Sequence, residues 1–405
     1  MGFQRHTLDN GLTILADVDA AAQTTAAGFF VRTGARDEAT PLMGVSHFLE
    51  HMMFKGTNDI DAHELNRRFD ALGARSNAYT SNEMTCFYTH LLPEALPEGL
   101  DLLSRMMRPA LRQADFDTEK GVILEEIAMY QDNPFWRLYE ATIEKHFAAH
   151  PMGHRVLGTP DTITAMQRDA MQGYFDTRYS ADNTIVALAG KLDFDRCVED
   201  VERLCGAWQR TRAGRDSTAP AVGGGTLELR SDKVNRGYVL ALMKAPAFED
   251  DRRYAAALLA QVLGLPDNSR LHWSLVEPGI AEEAQASYDP HDGSGEFFVY
   301  ASCEPSRIEE VWSIVDGQLK GLASSLTQDD IDRLLPKIVT GTTLGAERPH
   351  DRMHRLGRLY TYLHRYWSLE EELEKVSRVT LKDLRDLCEA FPMKPTTVGR
   401  MLPAV

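Results

Sequence analysis

The stretch Ser46-His47-Phe48-Leu49-Glu50-His51-Met52 carries the chemistry this sequence offers most clearly. His47 and His51 stand four apart, so on a helix they project from one face. With about 100° per residue and His47 at zero, Glu50 falls near −60° and His51 near +40°, while Val45, Phe48, Leu49 and Met52 fall between about 100° and 200°. The polar trio and the apolar stripe occupy different faces, so one can pack on a core while the other opens into a cleft. Two neutral imidazoles at this spacing can share one tetrahedral zinc ion. Glu50, beside them, is within reach of an attacking water's proton, and the order H-x-x-E-H inverts the H-E-x-x-H arrangement of other zinc sites. Two surface histidines would be the plainer reading of the spacing alone. The intervening Glu, the amphipathic split and Gly56 at the helix end weigh against it.

A hydrolytic zinc site takes three protein ligands and leaves one position open. The third has to come from another element, and the helical pattern of residues 115–132 offers Glu119, Glu125 and Glu126. Glu119 and Glu126 lie seven apart, within about 20° of each other, and both border the stripe of Phe116, Ile123, Ile127 and Tyr130. Glu125 points about 100° away from Glu126. A helix packing through that stripe brings Glu126 forward as ligand and Glu119 as a carboxylate behind the ligands. The plainer reading of Glu119 is a solvated helix charge.

These residues need elements to hold them. An Asn10-Gly11 turn between short apolar runs predicts a hairpin at residues 7–15, and residues 25–34 read as a strand. Helices are predicted over 42–55, closed by Gly56, and over 61–72, closed by Gly73. Residues 75–91 alternate and are rich in Thr, Tyr and Phe, which predicts a strand pair. Helical patterns fill 94–147 and 160–178, and a strand follows at 183–190. Residues 211–224, rich in Gly, Pro, Ser and Thr, read as a linker. TAAGFFVRTGARDEA in the first half resembles NRGYVLALMKAPAFEDD in the second, and each precedes a helical stretch. The chain is therefore expected to be α+β, with two similar domains, 1–212 and 222–405, each a mainly antiparallel sheet covered by helices.

With 405 residues, the chain exceeds what one core usually serves. Its net charge of −16 argues against a phosphate-backbone partner, which calls for clustered Lys and Arg. The five cysteines are scattered, odd in number and form no CxxC pair, so they read as free thiols in a reducing compartment. The N-terminus has no secretory pattern, and no window reaches the roughly 18 apolar residues of a membrane span, so the setting expected is the cytoplasm, without membrane attachment. His150 and His154 flank Pro151 and Gly153, which predicts a loop; His350, His354 and His364 read as a solvated or partner-facing helix surface, and His90 as packed on a strand.

GVSHFLEHMMFKGT, NAYTSNEMTCFY and EKGVILEEIAMYQDNP resemble the zinc site of the pitrilysin or insulinase peptidases. HPMGHRVLGTPDTI and RYSADNTIVALAGKLD are similar to the rest of that family's N-terminal domain, so the likeness covers nearly all of residues 5–195. The second half resembles the family's non-catalytic domain more faintly, and the length matches the short two-domain branch that includes the mitochondrial processing peptidases. The resemblance implies His47, His51 and Glu126 as ligands of one Zn2+ per chain, Glu50 as general base and Glu119 as a further Glu that supports activity. It implies that Asn77 and Ala78 lie on a strand edge that pairs with the substrate backbone. It also implies a dimer of four similar domains, either a homodimer or a pair with a related chain, acting on short or unfolded peptides. One departure stands out. Where the family carries an Arg and a Tyr in a segment like LREKGLAY, this chain has Val276 and Glu282 in LVEPGIAE. A partner chain, or Arg270 and Tyr288 after a shift in register, could supply the pair. The rival reading is a non-catalytic or partner-dependent subunit of a processing-peptidase-like assembly.

Overall fold

A computed structural model describes residues 2–216 and 218–404. Eleven strands are present among them: β1 (Gly2–Thr7), β2 (Thr13–Val18), β3 (Thr25–Val31), β4 (Arg75–Thr80), β5 (Thr85–Leu91), β6 (Thr184–Gly190), β7 (Gly225–Ser231), β8 (Gly237–Lys244), β9 (Glu283–His291), β10 (Ser294–Cys303) and β11 (Thr397–Pro403). They form a six-stranded sheet ordered β1-β2-β6-β3-β5-β4 and a five-stranded sheet ordered β7-β11-β8-β10-β9. Remove β1 and the two orders correspond strand for strand. The pairing senses correspond as well: β2 with β6 and β7 with β11 are parallel, and every other pair is antiparallel. The α+β class and the two similar, mainly antiparallel sheets are as the sequence predicts.

Central strands are apolar runs because both of their faces are covered. All seven residues of β6, TIVALAG, and all seven of β3, TAAGFFV, are buried. In the second sheet, β8 sends Val239 and Met243 into one cluster and Leu240 and Leu242 into another, the two-residue alternation of a strand between two helical layers.

Chain packing defines two compact units, and each draws on both halves of the sequence. The first comprises 1–127, 154–216 and 343–368; the second comprises 128–153, 217–342 and 369–405. In the first unit the helix Pro349–Leu363 lies on β2, β3 and β6, with Met353, Leu356 and Tyr360 packed against Leu15, Ala26, Phe30, Ile185 and Ala187. Gly357 permits this approach, since a Cβ there would stand 2.3 Å from the Phe30 ring. Arg352 clamps the same helix through Asp17 (2.6 and 2.9 Å) and Asp19 (2.9 Å). In the second unit the helix Pro134–Phe147 lies on β7, β8 and β11, the strands that correspond to β2, β3 and β6. The two sheets have thus exchanged equivalent helices. A period-3.6 pattern reports which helix face is buried, not which sheet buries it.

The hairpin at the N-terminus closes through Leu8–Leu12, with Gly11 at φ +89, rather than through a two-residue turn. Asn10 is held away from the strands, donating to the carbonyls of Cys205 and Gly206. The predicted linker 211–224 contains no helix or strand among its described residues, and Ser217 lies outside them. It is not wholly solvated: the Arg215 side chain is buried, paired with Asp37 at 2.6 Å. Among the described residues no helix is long and apolar enough to cross a membrane.

Candidate metal centre

Two helices carry the site, with Thr80 of β4 beside them. The helix α1 (Val45–Met53) buries Val45, Phe48, Leu49, Met52 and Met53 and starts after Gly44 at φ +95, which gives it no side-chain cap. Glu38 serves instead: its carboxylate accepts from the backbone N–H of Gly44 and of Ser46, each at 2.7 Å, where a helix start leaves donors unpaired. Full burial pushes the Glu38 carboxyl up to about 8 against the pull of those two N–H groups. α2 (Ala62–Ala71) and α3 (Leu96–Met106) follow α1, with Asp61 capping α2 through the N–H of Glu64. α4 (Gln113–Asp132) meets α1 where Phe116 stacks on Phe48, centroids 4.7 Å apart and planes at 15°. Along α4 the buried face reads Phe116, Glu119, Ile123, Ile127, so the stacking that docks the helix also turns Glu119 and Glu126 toward α1; Glu125 is exposed.

His47 Nε2 and His51 Nε2 lie 3.7 and 3.6 Å from one oxygen, Glu126 Oε2. Among the described residues this is the one group of three or more His, Cys, Asp or Glu whose donor atoms all lie within 4.8 Å. His51 Nδ1 is 2.9 Å from Glu119 Oε1, so Nδ1–H donates and the Nε2 lone pair is left facing His47 and Glu126. The other Glu119 oxygen pairs with the Lys55 ammonium. Burial, with His51 alongside, holds His47 down to about 3, so its ring is neutral. Glu50 accepts a hydrogen bond from the Thr80 hydroxyl at 2.6 Å. Burial raises its carboxyl above the usual range, while Thr80 and His51 pull it down and Glu126 pushes it up. Burial likewise raises Glu126.

The donor set fits zinc, which takes imidazole nitrogen and carboxylate oxygen in tetrahedral sites. Donors at about 2.0–2.1 Å from one ion stand about 3.3 Å apart, a few tenths of an ångström inside the observed spacing. His47 supplies a further sign: Nδ1 is buried without a hydrogen-bond partner and Nε2 has its nearest carboxylate at 3.7 Å, too far for a hydrogen bond. A buried neutral imidazole with neither nitrogen satisfied is costly unless an ion takes one of them.

Asn77 and Ala78 lie on β4, paired with Tyr88 and Phe87 of β5. β4 has β5 as its one neighbour, so its outer edge is unpaired within the sheet. The Asn77 side chain accepts from the Ala78 N–H at 2.9 Å, shielding one edge donor. In the second unit Val276 ends the turn of helix His272–Val276, and Glu282 pairs with Arg236. Neither substitute for the absent pair is free: Arg270 donates to Asp330 and the carbonyl of Ser325, each at 2.8 Å, and the Tyr288 hydroxyl donates to the carbonyl of Pro246. Three contributors to the site were not singled out from the sequence: Glu38, outside any motif, and Lys55 and Thr80, which stand inside GVSHFLEHMMFKGT and NAYTSNEMTCFY. Lys55 at one turn past His51 was the most accessible of these from spacing alone.

His150 and His154 flank a short 3-10 turn, and His154 is buried against the carbonyl of Ala35. His90 is hydrogen-bonded to Thr24 at 2.8 Å. The surface reading of His350 and His354 is overturned: both lie half-buried against Tyr88, because the helix that carries them covers the first sheet; His364 is exposed.

Residues 13–159 match the model of the insulinase family, peptidase family M16, and residues 165–336 match that of the peptidase M16 inactive domain. The chain is 32% identical over 395 residues to an uncharacterized zinc protease of Streptomyces coelicolor, covering 94% of this chain and 85% of that one. It is 31% identical over 390 residues to an uncharacterized zinc protease of Mycobacterium tuberculosis, covering 94% and 89%. Its fold is that of a protease from Helicobacter pylori (TM-score 0.91, 20% identity, 99% of this chain and 100% of that one). It is also that of an M16-like peptidase from Alicyclobacillus acidocaldarius (TM-score 0.87, 20% identity, 100% and 98%). With the inverted histidine motif on α1, the paired sheets and these matches along most of its length, the chain belongs to the insulinase family of peptidases, M16.

Proposed function

We propose that this chain is a zinc metalloendopeptidase that hydrolyses peptide bonds in short or unfolded peptides. The observation that carries the reading is the convergence of His47 Nε2, His51 Nε2 and Glu126 Oε2 with the raised, partly desolvated Glu50 carboxylate on the same helix. One zinc ion per chain, held by these three residues, would polarise the scissile carbonyl and acidify the attacking water. Glu50 takes the proton from that water at its carboxylate and returns it to the leaving nitrogen. Thr80 orients Glu50; Glu119 fixes the His51 tautomer and, with Lys55, the ring's position. An extended substrate adds to the open edge of β4 at Asn77 and Ala78, gaining main-chain hydrogen bonds. To use the Ala78 N–H it displaces the Asn77 side chain.

The partner is a peptide substrate, with a second chain completing the site. Of the two assemblies open to the chain, a homodimer and a heterodimer, Val276 and Glu282 with the hydrogen bonds of Arg270 and Tyr288 support the heterodimer, in which a related chain brings the Arg and Tyr. The same departure is what favours the second reading, a partner-dependent or non-catalytic subunit. Five free and buried cysteines support a reducing, cytoplasmic setting. The test is cleavage of a library of unstructured peptides by the zinc-loaded chain beside Glu50→Gln. The variant should bind zinc as the wild type does and lose hydrolysis. Substantial turnover by Glu50→Gln would remove Glu50 from its role, and zinc binding without turnover in the wild type would favour the partner-dependent reading.

A further inference from the structure

A second pair of histidines repeats the geometry of the first. His350 and His354 are four apart on the helix Pro349–Leu363, as His47 and His51 are on α1. Their ring centroids are 4.4 Å apart with planes at 64°; the α1 pair has 4.7 Å and 62°. His350 Nδ1 lies 3.0 Å from Asp351 Oδ1, as His51 Nδ1 lies 2.9 Å from Glu119 Oε1. In both cases Nδ1–H donates to the carboxylate and leaves the Nε2 lone pair directed at the partner ring. The two Nε2 atoms of the second pair stand 3.1 Å apart, close to the separation of two nitrogens on one tetrahedral ion, about 3.3 Å. Arg348 donates to the other Asp351 oxygen and holds the carboxylate in place.

We propose that His350 and His354 form a second, weaker site for an imidazole-preferring divalent cation, Zn2+ above all, outside the His47–His51–Glu126 centre. In the chain as it stands, one proton is shared between the two Nε2 atoms, donated by His354 and accepted by His350. The cation takes the Nε2 lone pairs of two neutral rings: the His354 proton leaves Nε2 and is regained at Nδ1 through solvent, so both rings stay neutral and no net proton is released. Burial and the neighbouring His350 hold His354 down to about 4, so its ring is uncharged at neutral pH. Two protein nitrogens leave the remaining positions to water or to a donor from outside the chain, and the His350 side chain, 33% exposed, leaves room for one. That ligand count makes the site weaker than the three-ligand centre. Tyr88 lies edge-on to both rings, at 5.0 and 4.6 Å, and pairs with Asn77 across the sheet, so the site adjoins the back of the open β4 edge.

The experiment is equilibrium dialysis of the full chain against Zn2+ alone from micromolar to submillimolar, with bound metal counted per chain. Four forms are compared: wild type, His354→Gln, His350→Gln, and the double variant His47→Ala/His51→Ala. Two ions in the wild type, one in each Gln variant and one in the double variant is the expected result. If the α1 centre does not bind zinc but the second site does, the wild type and double variant each bind one ion and the Gln variants bind none. A double variant that keeps the native circular dichroism spectrum and binds nothing overturns the proposal, as does equal uptake by the wild type and a folded Gln variant. His350→Gln, at the more exposed position, keeps the test open should His354→Gln fail to fold.

Discussion

Glu119→Gln isolates what a carboxylate behind a metal ligand contributes. Glu119 is nearly fully buried and uses both oxygens: Oε1 accepts from His51 Nδ1 at 2.9 Å, and Oε2 meets the Lys55 ammonium. Glutamine keeps the shape and removes the charge. A hydrogen bond to a charged acceptor is worth about 1.5–3 kcal/mol and a neutral one about 0.5–1.5, so roughly 1–1.5 kcal/mol is lost, close to tenfold in affinity. The amide adds a conflict. If its oxygen faces His51, its NH2 group faces the Lys55 ammonium, donor against donor; if it turns over, His51 Nδ1–H loses its acceptor. The second term moves the loss toward the upper end of the 10–100-fold range known for such partners. Zinc affinity measured by competition with a chromophoric chelator should therefore fall by about 10–100-fold, with the far-ultraviolet circular dichroism unchanged. An affinity within about twofold of the wild type, well under one decade's 1.4 kcal/mol, would refute the idea that the Glu119 contact holds His51 for the metal.

Thr80→Val removes the hydroxyl that stabilises the charged form of Glu50, so the carboxyl rises further above its ordinary range. A base works only above its pKa; the acid limb of the kcat/KM profile should move to higher pH by about 1–2 units, and an unmoved limb would separate Thr80 from the base. Arg352→Met leaves Asp17 and Asp19 facing the helix Pro349–Leu363 without their cation, and urea unfolding should show a loss of about 3–5 kcal/mol, whereas a loss under 1 kcal/mol would mark the cluster as a surface pair. Gly357→Ala should lower stability by about 1–3 kcal/mol because its Cβ meets the Phe30 ring, the reverse of the gain near 1 kcal/mol that this exchange gives in an open helix. A higher urea midpoint in Gly357→Ala would show that the helix and sheet can separate freely.

The grouping of His47, His51 and Glu126 was legible because its information is local. Seven residues of α1 fix two imidazoles and a carboxylate on one face, and the apolar positions of α4 decide which of three glutamates turns inward. What binds those pieces together was not legible. Glu38 caps α1 from a segment that has no helical pattern, and Thr80 reaches Glu50 from the far end of an edge strand; neither has a spacing that marks it. His350 and His354 show the limit most plainly. Their helix carries Arg and His at many positions, which reads as solvent-facing, yet those side chains are satisfied by Asp17, Asp19 and Asp351 and by each other. Polar composition reports exposure only when partners are absent, and the partners of Arg352, which are Asp17 and Asp19, stand more than three hundred residues earlier. The paired sheets were legible as a faint internal likeness, but the exchange of helices was not, since equivalent helices are interchangeable to any pattern read along the chain.

That exchange bears on how the protein is made. As the chain leaves the ribosome, β1 to β6 are complete when residue 190 has emerged, but the apolar face formed by Leu15, Ala26, Phe30, Ile185 and Ala187 has no cover until Pro349–Leu363 follows. The second sheet has the opposite order: its covering helix, Pro134–Phe147, is synthesised before any of its strands. Each half is thus a template awaiting a piece of the other. Neither half covers that face of its own sheet with its own helix, and the candidate metal centre, although His47, His51 and Glu126 all lie before residue 127, belongs to a unit that is finished only when the last tenth or so of the chain begins to appear.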